Sequence, residues 1–401
     1  MVDIKYIQNN EDLGIDYDWN LIRKEYKKLG VPDHLYDPTT APIERNRYIF
    51  NMSIRKVGKT TDWLLFAMVM HKLYKTTLSY IRETEEQTAP KYTRELLNVV
   101  NSYSNGKYIR LLTEGKYNSV KIDARRIFYV LRDENGKEID RSPDPFMFLL
   151  SLDNWADYKS TLNIFRGDII IVDEFVGKFY HDQSFEAFLQ ILSTVGRGRH
   201  SVRCIFLANT IRFTSPWYRE FMIQKLVQRM RLGERVEYQT PKGTHIYIEF
   251  VEPKKKEEIR KYAALYFGFD NPVVDSIAGV DAVWSLPPSA RIRHEPDEKL
   301  ITNKLRILGD EEMKLALIWD SKIGLHVNVY PATSKIKDDE TVLTLEAPEN
   351  RRELFALGYG EFFRRIWDLY KKNMFRYSDN EIAVVLEDYV NRAKEVLRKK
   401  I

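Results

Sequence analysis

Tyr48-Ile-Phe-Asn-Met52-Ser53-Ile-Arg55-Lys56-Val57-Gly58-Lys59-Thr60-Thr61 is the stretch on which the reading of this chain turns. An apolar run with strand character, Tyr48 to Met52, breaks into a polar, basic turn. A helical pattern follows, with Trp63, Leu64, Ala67, Met68 and His71 at spacings of three and four and no Gly or Pro through Leu73. Thr77-Leu-Ser-Tyr-Ile-Arg82 then reads as a second strand. Strand, helix and strand in that order are the signature of an α/β domain with a parallel sheet.

The turn fits G-x-x-x-x-G-K-[ST] at every position but the first, where Ser53 stands. Gly58 lets backbone N–H groups approach phosphate closely, Lys59 brings a point charge to the β/γ-phosphates, and Thr60 offers a hydroxyl to Mg²⁺ at a helix N-terminus. Ser tolerates fewer φ/ψ values than Gly, so Ser53 puts the geometry of the loop in question. A basic strand-to-helix turn is the plain alternative, but the strand before it and the helix after it are the context a phosphate-binding loop requires.

Two further runs, Ile169-Ile-Ile-Val172 and Arg203-Cys-Ile-Phe-Leu-Ala208, do not alternate and read as buried parallel strands. The first ends in Asp173-Glu174, the form of a Walker B acid with an adjacent catalytic glutamate: Asp173 for the Mg²⁺ shell, Glu174 to polarise the attacking water. The second is preceded by Arg197 and Arg199 beside glycines and followed by Asn209, at the strand end where α/β proteins place their ligands. An arginine there can reach a neighbour's γ-phosphate, or it can cap the sheet.

Around this centre, a helix around Trp19 to Leu29, a β insertion with its turn at Asn135-Gly136 and a strand at His245–Phe250 are expected. The chain divides as 1–252, an α/β nucleotide-binding domain; 253–290, a charged, Pro-containing, partly helical linker; and 291–401, a small α+β domain. In the last of these, strands are expected at Lys304–Leu308, Lys314–Trp319, Gly324–Tyr330 and Thr341–Leu345, and helices from about Glu349 and Asp379. Asp310 and Asp320 fall in apparent hairpin turns and Glu346 stands alone, so no two-metal carboxylate cluster, and no DNA cleavage, is expected.

With 401 residues and 44% hydrophobic content, the chain can bury more than one core. Its one cysteine, Cys204, cannot form an intrachain disulfide, and no Cys/His spacing suggests structural zinc. No apolar run reaches the roughly 18–20 residues of a bilayer span, and the N-terminal residues lack the apolar core of a signal peptide, so no membrane partner is expected. The net charge of +5 is only a weak pointer to a polyanion.

Five stretches give the chain a more specific likeness: Arg55-Lys-Val-Gly-Lys-Thr60, Tyr80-Ile-Arg82, Leu152-Asp-Asn-Trp155-Ala-Asp-Tyr-Lys159-Ser160, Ile171-Val-Asp-Glu-Phe175 and Val202-Arg-Cys-Ile-Phe-Leu-Ala-Asn209. In these the sequence resembles the DNA-encapsidation ATPases of small protein-primed tailed phages, a compact branch of the terminase large-subunit ring motors, from about Arg45 to the C-terminus. The resemblance implies a P-loop ATPase domain of the ASCE type followed by an RNase H-like domain in vestigial form. It also implies ATP and Mg²⁺ as cofactors and translocation of double-stranded DNA by a ring, a pentamer in that family. The partners would be the portal of a procapsid and, in some members, a packaging RNA. The ring would work in the host cytoplasm, transiently at the portal, and be absent from the mature virion.

Carried over by residue, nucleotide contacts fall on Ser53, Val57, Gly58, Lys59, Thr60 and Thr61, with Thr60 and Asp173 toward the metal and Glu174 as the base. Arg197 falls on the trans-acting arginine finger, with Arg199 as its alternative, and Asn209 on the sensor that follows the strand. Arg55 matches the Walker A arginine of terminases. Lys56 stands where a relative has Gly and is an extra cation, with a neighbouring subunit as one destination. Lys159 and Lys178 are the candidates for gripping DNA phosphates, against an ordinary solvated role for each; Lys254-Lys-Lys256 reads first as a solvated linker face. Two rival readings fit the same chemistry: a helicase or DNA-segregation ring ATPase, and a nucleotide-binding module in which Ser53 prevents turnover, which Glu174 argues against.

Overall fold

The computed structural model describes residues 16–33, 35–53, 57–89, 97–98, 100, 105–158, 167–176, 183–196, 199–209, 215–227, 229–252, 254, 292, 297–308, 312–322, 324–344, 353–355, 360–378, 382–383, 385–387 and 389–390. They form two compact units, each built on its own sheet.

The first unit carries helix α1 (Trp19–Lys27), strand β1 (Tyr48–Ser53), helix α2 (Lys59–Tyr74) and strand β2 (Thr77–Arg82). Strands β3 (Ser119–Asp123), β4 (Arg126–Arg132), β5 (Glu138–Arg141), β6 (Met147–Ser151) and β7 (Gly167–Asp173) follow. Helix α3 (Ser184–Gly196), β8 (Arg203–Ala208), β9 (Arg235–Gln239) and β10 (His245–Val251) complete it. The sheet order is β3-β4-β6-β2-β7-β8-β1-β10-β9, with β5 paired to β4. From β6 to β10 every neighbouring pair along that path is parallel. The expected α/β class is therefore the observed one. The Asn135-Gly136 turn closes the β4–β5 hairpin with Gly136 at φ +79°, a left-handed value that suits glycine.

Helix α2 is buried over nearly its whole circumference, because Asp62 through Met70 are all at most 3% exposed. An amphipathic helix on a sheet would show one wet face; here α1 covers the second face, with the Tyr26 and Phe66 rings 5.8 Å apart. A separate aromatic cluster lies around β8, where the Phe50 and Phe206 rings stack at 4.6 Å and the Phe175 ring meets them edge-on.

The second unit holds β11 (Lys299–Ile307), β12 (Met313–Asp320), β13 (Gly324–Pro331), β14 (Thr341–Thr344), β15 (Glu353–Phe355), helix α4 (Gly360–Lys371) and β16 (Phe375–Tyr377). Its order is β15-β14-β11-β12-β13-β16, antiparallel across β11, β12 and β13 and parallel elsewhere. The four expected strands are present. The helix expected from about Glu349 is corrected: residues 353–355 pair with β14, and the helix starts at Gly360. Short strands of this kind are selected by a partner's unpaired edge, which local sequence does not encode. Arg306, fully buried on β11, donates to Glu340 at 2.8 Å, to Glu312 at 2.7 Å and to the Ser334 carbonyl at 2.9 Å.

Asp320 also needs correction. Expected in a hairpin turn, it is instead the last residue of β12, and it is 1% exposed. Asp310, Glu346 and, apart from Lys254, the expected linker at 253–290 lie outside the described residues.

Candidate active site

Four adjacent strands, β2, β7, β8 and β1, run parallel and end together, so Arg82, Asp173, Asn209 and Ser53 gather at one edge of the sheet. This is the carboxyl edge at which open α/β sheets bind ligands.

Ser53 resolves the question its identity raised. It is an ordinary strand residue in register with Val251, fully buried, and is not among the described residues with positive φ. No glycine is needed there, and its hydroxyl accepts a hydrogen bond from Lys59 Nζ. Gly58 is the position that requires glycine. Its φ of +82° is left-handed, and a Cβ there would lie 2.8 Å from Asp62 Oδ2 and 3.0 Å from Leu35 Cδ2. Val57 is buried and its carbonyl accepts from the Tyr36 amide at 2.8 Å, which ties down the C-terminal side of the turn.

Lys59 opens α2 at only 3% exposure and donates to Asn209 Oδ1 at 3.3 Å. Burial pulls its pKa down to about 7, against which Asp173 supplies a partial raise. Thr60, half-buried, points its hydroxyl at Asp173 Oδ1, 3.4 Å away; Thr61 is half-buried one residue on. Thr60 and Asp173 thus converge at the head of α2, which suits a hard divalent cation carried with nucleotide phosphates.

Asp173 is 5% exposed, and Tyr80 donates its hydroxyl to Asp173 Oδ2. Burial, with the charge of Asp173 second, raises the Tyr80 pKa far above its ordinary value, so the phenol stays a donor. Glu174 follows in the left-handed region at φ 56°, unusual for a residue with a side chain, and its amide donates to Asp173 Oδ1 at 3.0 Å. Backbone strain of this kind persists where the surroundings over-determine it, and functional sites are where it collects.

The Glu174 carboxylate is held from two sides. Arg82 Nη1 lies 2.6 Å from Oε2, and Asn209 Nδ2 approaches Oε1 at 3.5 Å. Burial works against the Arg82 charge, but Tyr80, Asp173 and Glu174 outweigh it and raise its pKa. Asn209 therefore bridges Lys59 and Glu174, because β8 lies between β1 and β7. Sequence reasoning placed Ser53, Gly58, Lys59, Thr60, Asp173, Glu174 and Asn209, and all meet here. It left Tyr80 and Arg82 without roles. Tyr80-Ile-Arg82 stood out there only as a stretch of family likeness, and it gains a role once β2 is known to neighbour β7.

Arg199 is not part of this site and its assignment is corrected. It is 4% exposed, donates to Asp168 Oδ1 at 3.0 Å and to the carbonyls of Gly167 and Val195, and sits at the opposite, N-terminal end of β7. Tyr17 at 2.6 Å and Ser201 at 3.0 Å complete the shell around the buried Asp168 carboxylate. An arginine so engaged cannot swing to a neighbour's nucleotide without stranding a buried charge. Arg55, Lys56, Lys159, Lys178 and Arg197 lie outside the described residues.

No protein-family model and no curated protein matches the chain. Among solved structures its fold is similar to that of the Phi-28 gp11 DNA packaging motor, at 15% identity over 90% of this chain and 99% of that one, with a TM-score of 0.51. The bacteriophage Phi-29 viral genome packaging motor assembly matches at 16% identity over 90% of this chain and 100% of that one, with a TM-score of 0.49. The large terminase ATPase domain of Thermus phage P74-26 matches at 18% identity over 65% and 98%, with a TM-score of 0.35. The first likeness runs the length of both chains and establishes a shared fold.

Proposed function

We propose that the chain is an ATP hydrolase that drives double-stranded DNA into a viral procapsid as one subunit of a homo-oligomeric ring. The observation that carries the reading is the join of phosphate-binding lysine to catalytic glutamate through one residue, Lys59 to Asn209 to Glu174, beside the Thr60–Asp173 pair. A site that only holds nucleotide needs no carboxylate poised in this way, which favours turnover over a binding module. The full-length fold likeness to a DNA packaging motor supports the biological half of the reading.

ATP enters with its phosphates over the N-terminus of α2, where the free backbone N–H groups and Lys59 neutralise charge. Thr60 and Asp173 would hold Mg²⁺, which supplies charge neutralisation at the β/γ oxygens. Glu174 orients a water for in-line attack on the γ-phosphorus, which displaces ADP through the β–γ bridging oxygen, and accepts the water's proton; Arg82 holds that carboxylate in place between cycles. Loss of the γ-phosphate changes what Lys59 holds, and Asn209 relays that change to Glu174. Arg197 from a neighbouring subunit, with Arg55 and Lys56 in the loop, would complete the charge around the transferred group. Lys159 and Lys178 would grip phosphate, as a sequence-independent translocator requires. The ring would act at the portal of the procapsid in the host cytoplasm, a pentamer with or without an RNA scaffold.

We read the chain as three parts, with boundaries near 252 and 291. The strand order of the second unit supports its reading as an RNase H-like domain, in which the buried cation Arg306 occupies the central strand.

The test is steady-state ATP hydrolysis by the purified chain with and without double-stranded DNA, with Glu174→Gln as control and Lys59→Ala for binding. DNA-stimulated hydrolysis that is lost in Glu174→Gln, and an ATP-induced thermal shift lost in Lys59→Ala, are expected. An unchanged shift in Lys59→Ala would remove the nucleotide assignment. Strand separation independent of any capsid would move the chain to the helicase class.

A further inference from the structure

At one end of the second sheet three ligand-type side chains meet. Asp320 ends β12, His326 sits near the start of β13, and Glu298 immediately precedes β11. The register pairs Asp320 with Gly324, Ile318 with His326 and Lys299 with Trp319. This brings Glu298 alongside Asp320 and puts His326 diagonally across, all on one face, since side chains alternate along a strand. One ligand atom from each lies within 4.8 Å of the other two. Asp320 and His326 are each 1% exposed, whereas Glu298 is half-buried.

The His326 ring is only half used. Nδ1 lies 3.2 Å from the Gly324 carbonyl oxygen, which can only accept, and 3.8 Å from Asp320 Oδ2. Nε2 is buried and has no hydrogen-bond partner among the described residues. Two residues on, on the same face, Asn328 is fully buried with Oδ1 in the same condition. Leaving a buried polar atom unsatisfied costs about 1–3 kcal/mol, so neighbouring instances on one sheet face call for a physical explanation. The hairpin is also tied down around the carboxylates. Asp320 Oδ1 accepts from the Lys322 amide at 2.8 Å, and Asp297 accepts from the Ser321 amide at 3.2 Å and from its hydroxyl.

We infer that Glu298, Asp320 and His326 form a binding site for a single divalent transition-metal ion of the Zn²⁺ or Mn²⁺ class. One imidazole with two carboxylates suits those ions, whereas Mg²⁺ and Ca²⁺ prefer oxygen alone. A metal-ligating histidine usually gives its second nitrogen a backbone carbonyl or carboxylate partner, and this ring has both types close by. Three protein ligands leave a coordination position for water, on the side of the half-buried Glu298. The ion would pin the start of β11 to the β12–β13 hairpin. The inference uses no residue of the nucleotide site, so it stands or falls separately from the proposed function.

The test uses the full-length, chelator-treated protein without nucleotide, titrated with Zn²⁺ by calorimetry and with Co²⁺ by visible absorption, with Mg²⁺ as the contrasting ion. One equivalent of Zn²⁺ should bind, and Co²⁺ should develop d–d bands that Zn²⁺ abolishes. His326→Gln, Asp320→Asn and the milder, half-buried Glu298→Gln should each weaken binding by at least the roughly 100-fold that loss of an outer-shell partner alone can cost. Thermal unfolding and far-ultraviolet circular dichroism of the same variants report that the protein is folded. No saturable binding by the parent protein, or equal Zn²⁺ affinity in folded Glu298→Gln and His326→Gln, would overturn the site and leave an ordinary buried histidine–carboxylate cluster.

Discussion

Arg82 Nη1 stands 2.6 Å from Glu174 Oε2 and 3.8 Å from Asp173 Oδ2, so one guanidinium spans both acids at the end of β7. A cation at that point fixes where the glutamate carboxylate waits. Arg82→Ala should lower the hydrolysis rate at least tenfold while leaving ATP affinity within about threefold. Arg82→Ala/Glu174→Gln should be no slower than Glu174→Gln alone, because the two residues act as a unit. Additive losses in single-turnover assays would assign Arg82 to a separate role.

Lys59 carries a depressed pKa, about 7 against an ordinary 10.5, so in the empty site it is largely neutral above neutrality. Nucleotide phosphate favours the charged amine, and binding between pH 7 and 10 should therefore take up a proton. Calorimetry in two buffers of different ionisation enthalpy should show that uptake. Affinity should fall by up to tenfold per pH unit above about 7. The same shift makes the unliganded protein gain stability as pH rises from about 7 toward 10.5, since the unfolded chain then binds the extra proton.

Asp62 has the opposite sign. Burial lifts it to about 8 despite the Tyr26 hydroxyl, which donates to it at 2.9 Å. The folded state keeps a proton the unfolded chain loses above about pH 4, so Asp62 removes stability as pH climbs from about 4 to 8. Asp62→Asn should flatten that part of the stability-against-pH curve in urea unfolding, and the variant should exceed the parent chain at pH 8. A curve parallel to that of the parent chain would show that Asp62 is ionised in the fold.

Arg199 and Arg197 should separate cleanly. Arg199→Ala leaves the Asp168 carboxylate buried beside an empty space and should cost about 3–5 kcal/mol in unfolding. Arg197→Ala should leave stability within about 0.5 kcal/mol and abolish hydrolysis. If the finger works between chains, mixing Arg197→Ala subunits with Glu174→Gln subunits should restore part of the activity. Absence of restoration at every mixing ratio would place Arg197 in a structural role.

Gly58→Ala should be among the costliest single changes in the loop. The left-handed backbone alone costs on the order of 1 kcal/mol for a residue with a Cβ, and the added carbon would meet Asp62 Oδ2 at 2.8 Å. Thermal unfolding and ATP binding should both suffer. Ser53→Gly, where the backbone is ordinary strand, should bring no gain in nucleotide affinity, since it deletes the hydroxyl that receives Lys59.

The sequence alone determined whatever is written within one turn or one strand: the βαβ start, the Gly58-Lys59-Thr60 head of α2, the two acids at the end of β7, and the Asn after β8. Each is a local pattern, with period, capping and chemistry carried by contiguous residues. It misread two kinds of position. Asp320 looked like a turn residue because hairpin ends are polar, yet cross-strand register buries it beside Glu298 and His326. Arg199 was the alternative to Arg197 as the finger because it lies beside a glycine just before β8, yet the fold delivers Asp168 and Tyr17 to the same buried place. Strand order was decided only in three dimensions. Placing β8 between β1 and β7, and β2 beside β7, is what lets Asn209 bridge Lys59 to Glu174 and Arg82 span the acids. Neighbours in a parallel sheet are joined by long crossovers, so their adjacency is set by which faces bury together, a property of the whole chain rather than of any segment.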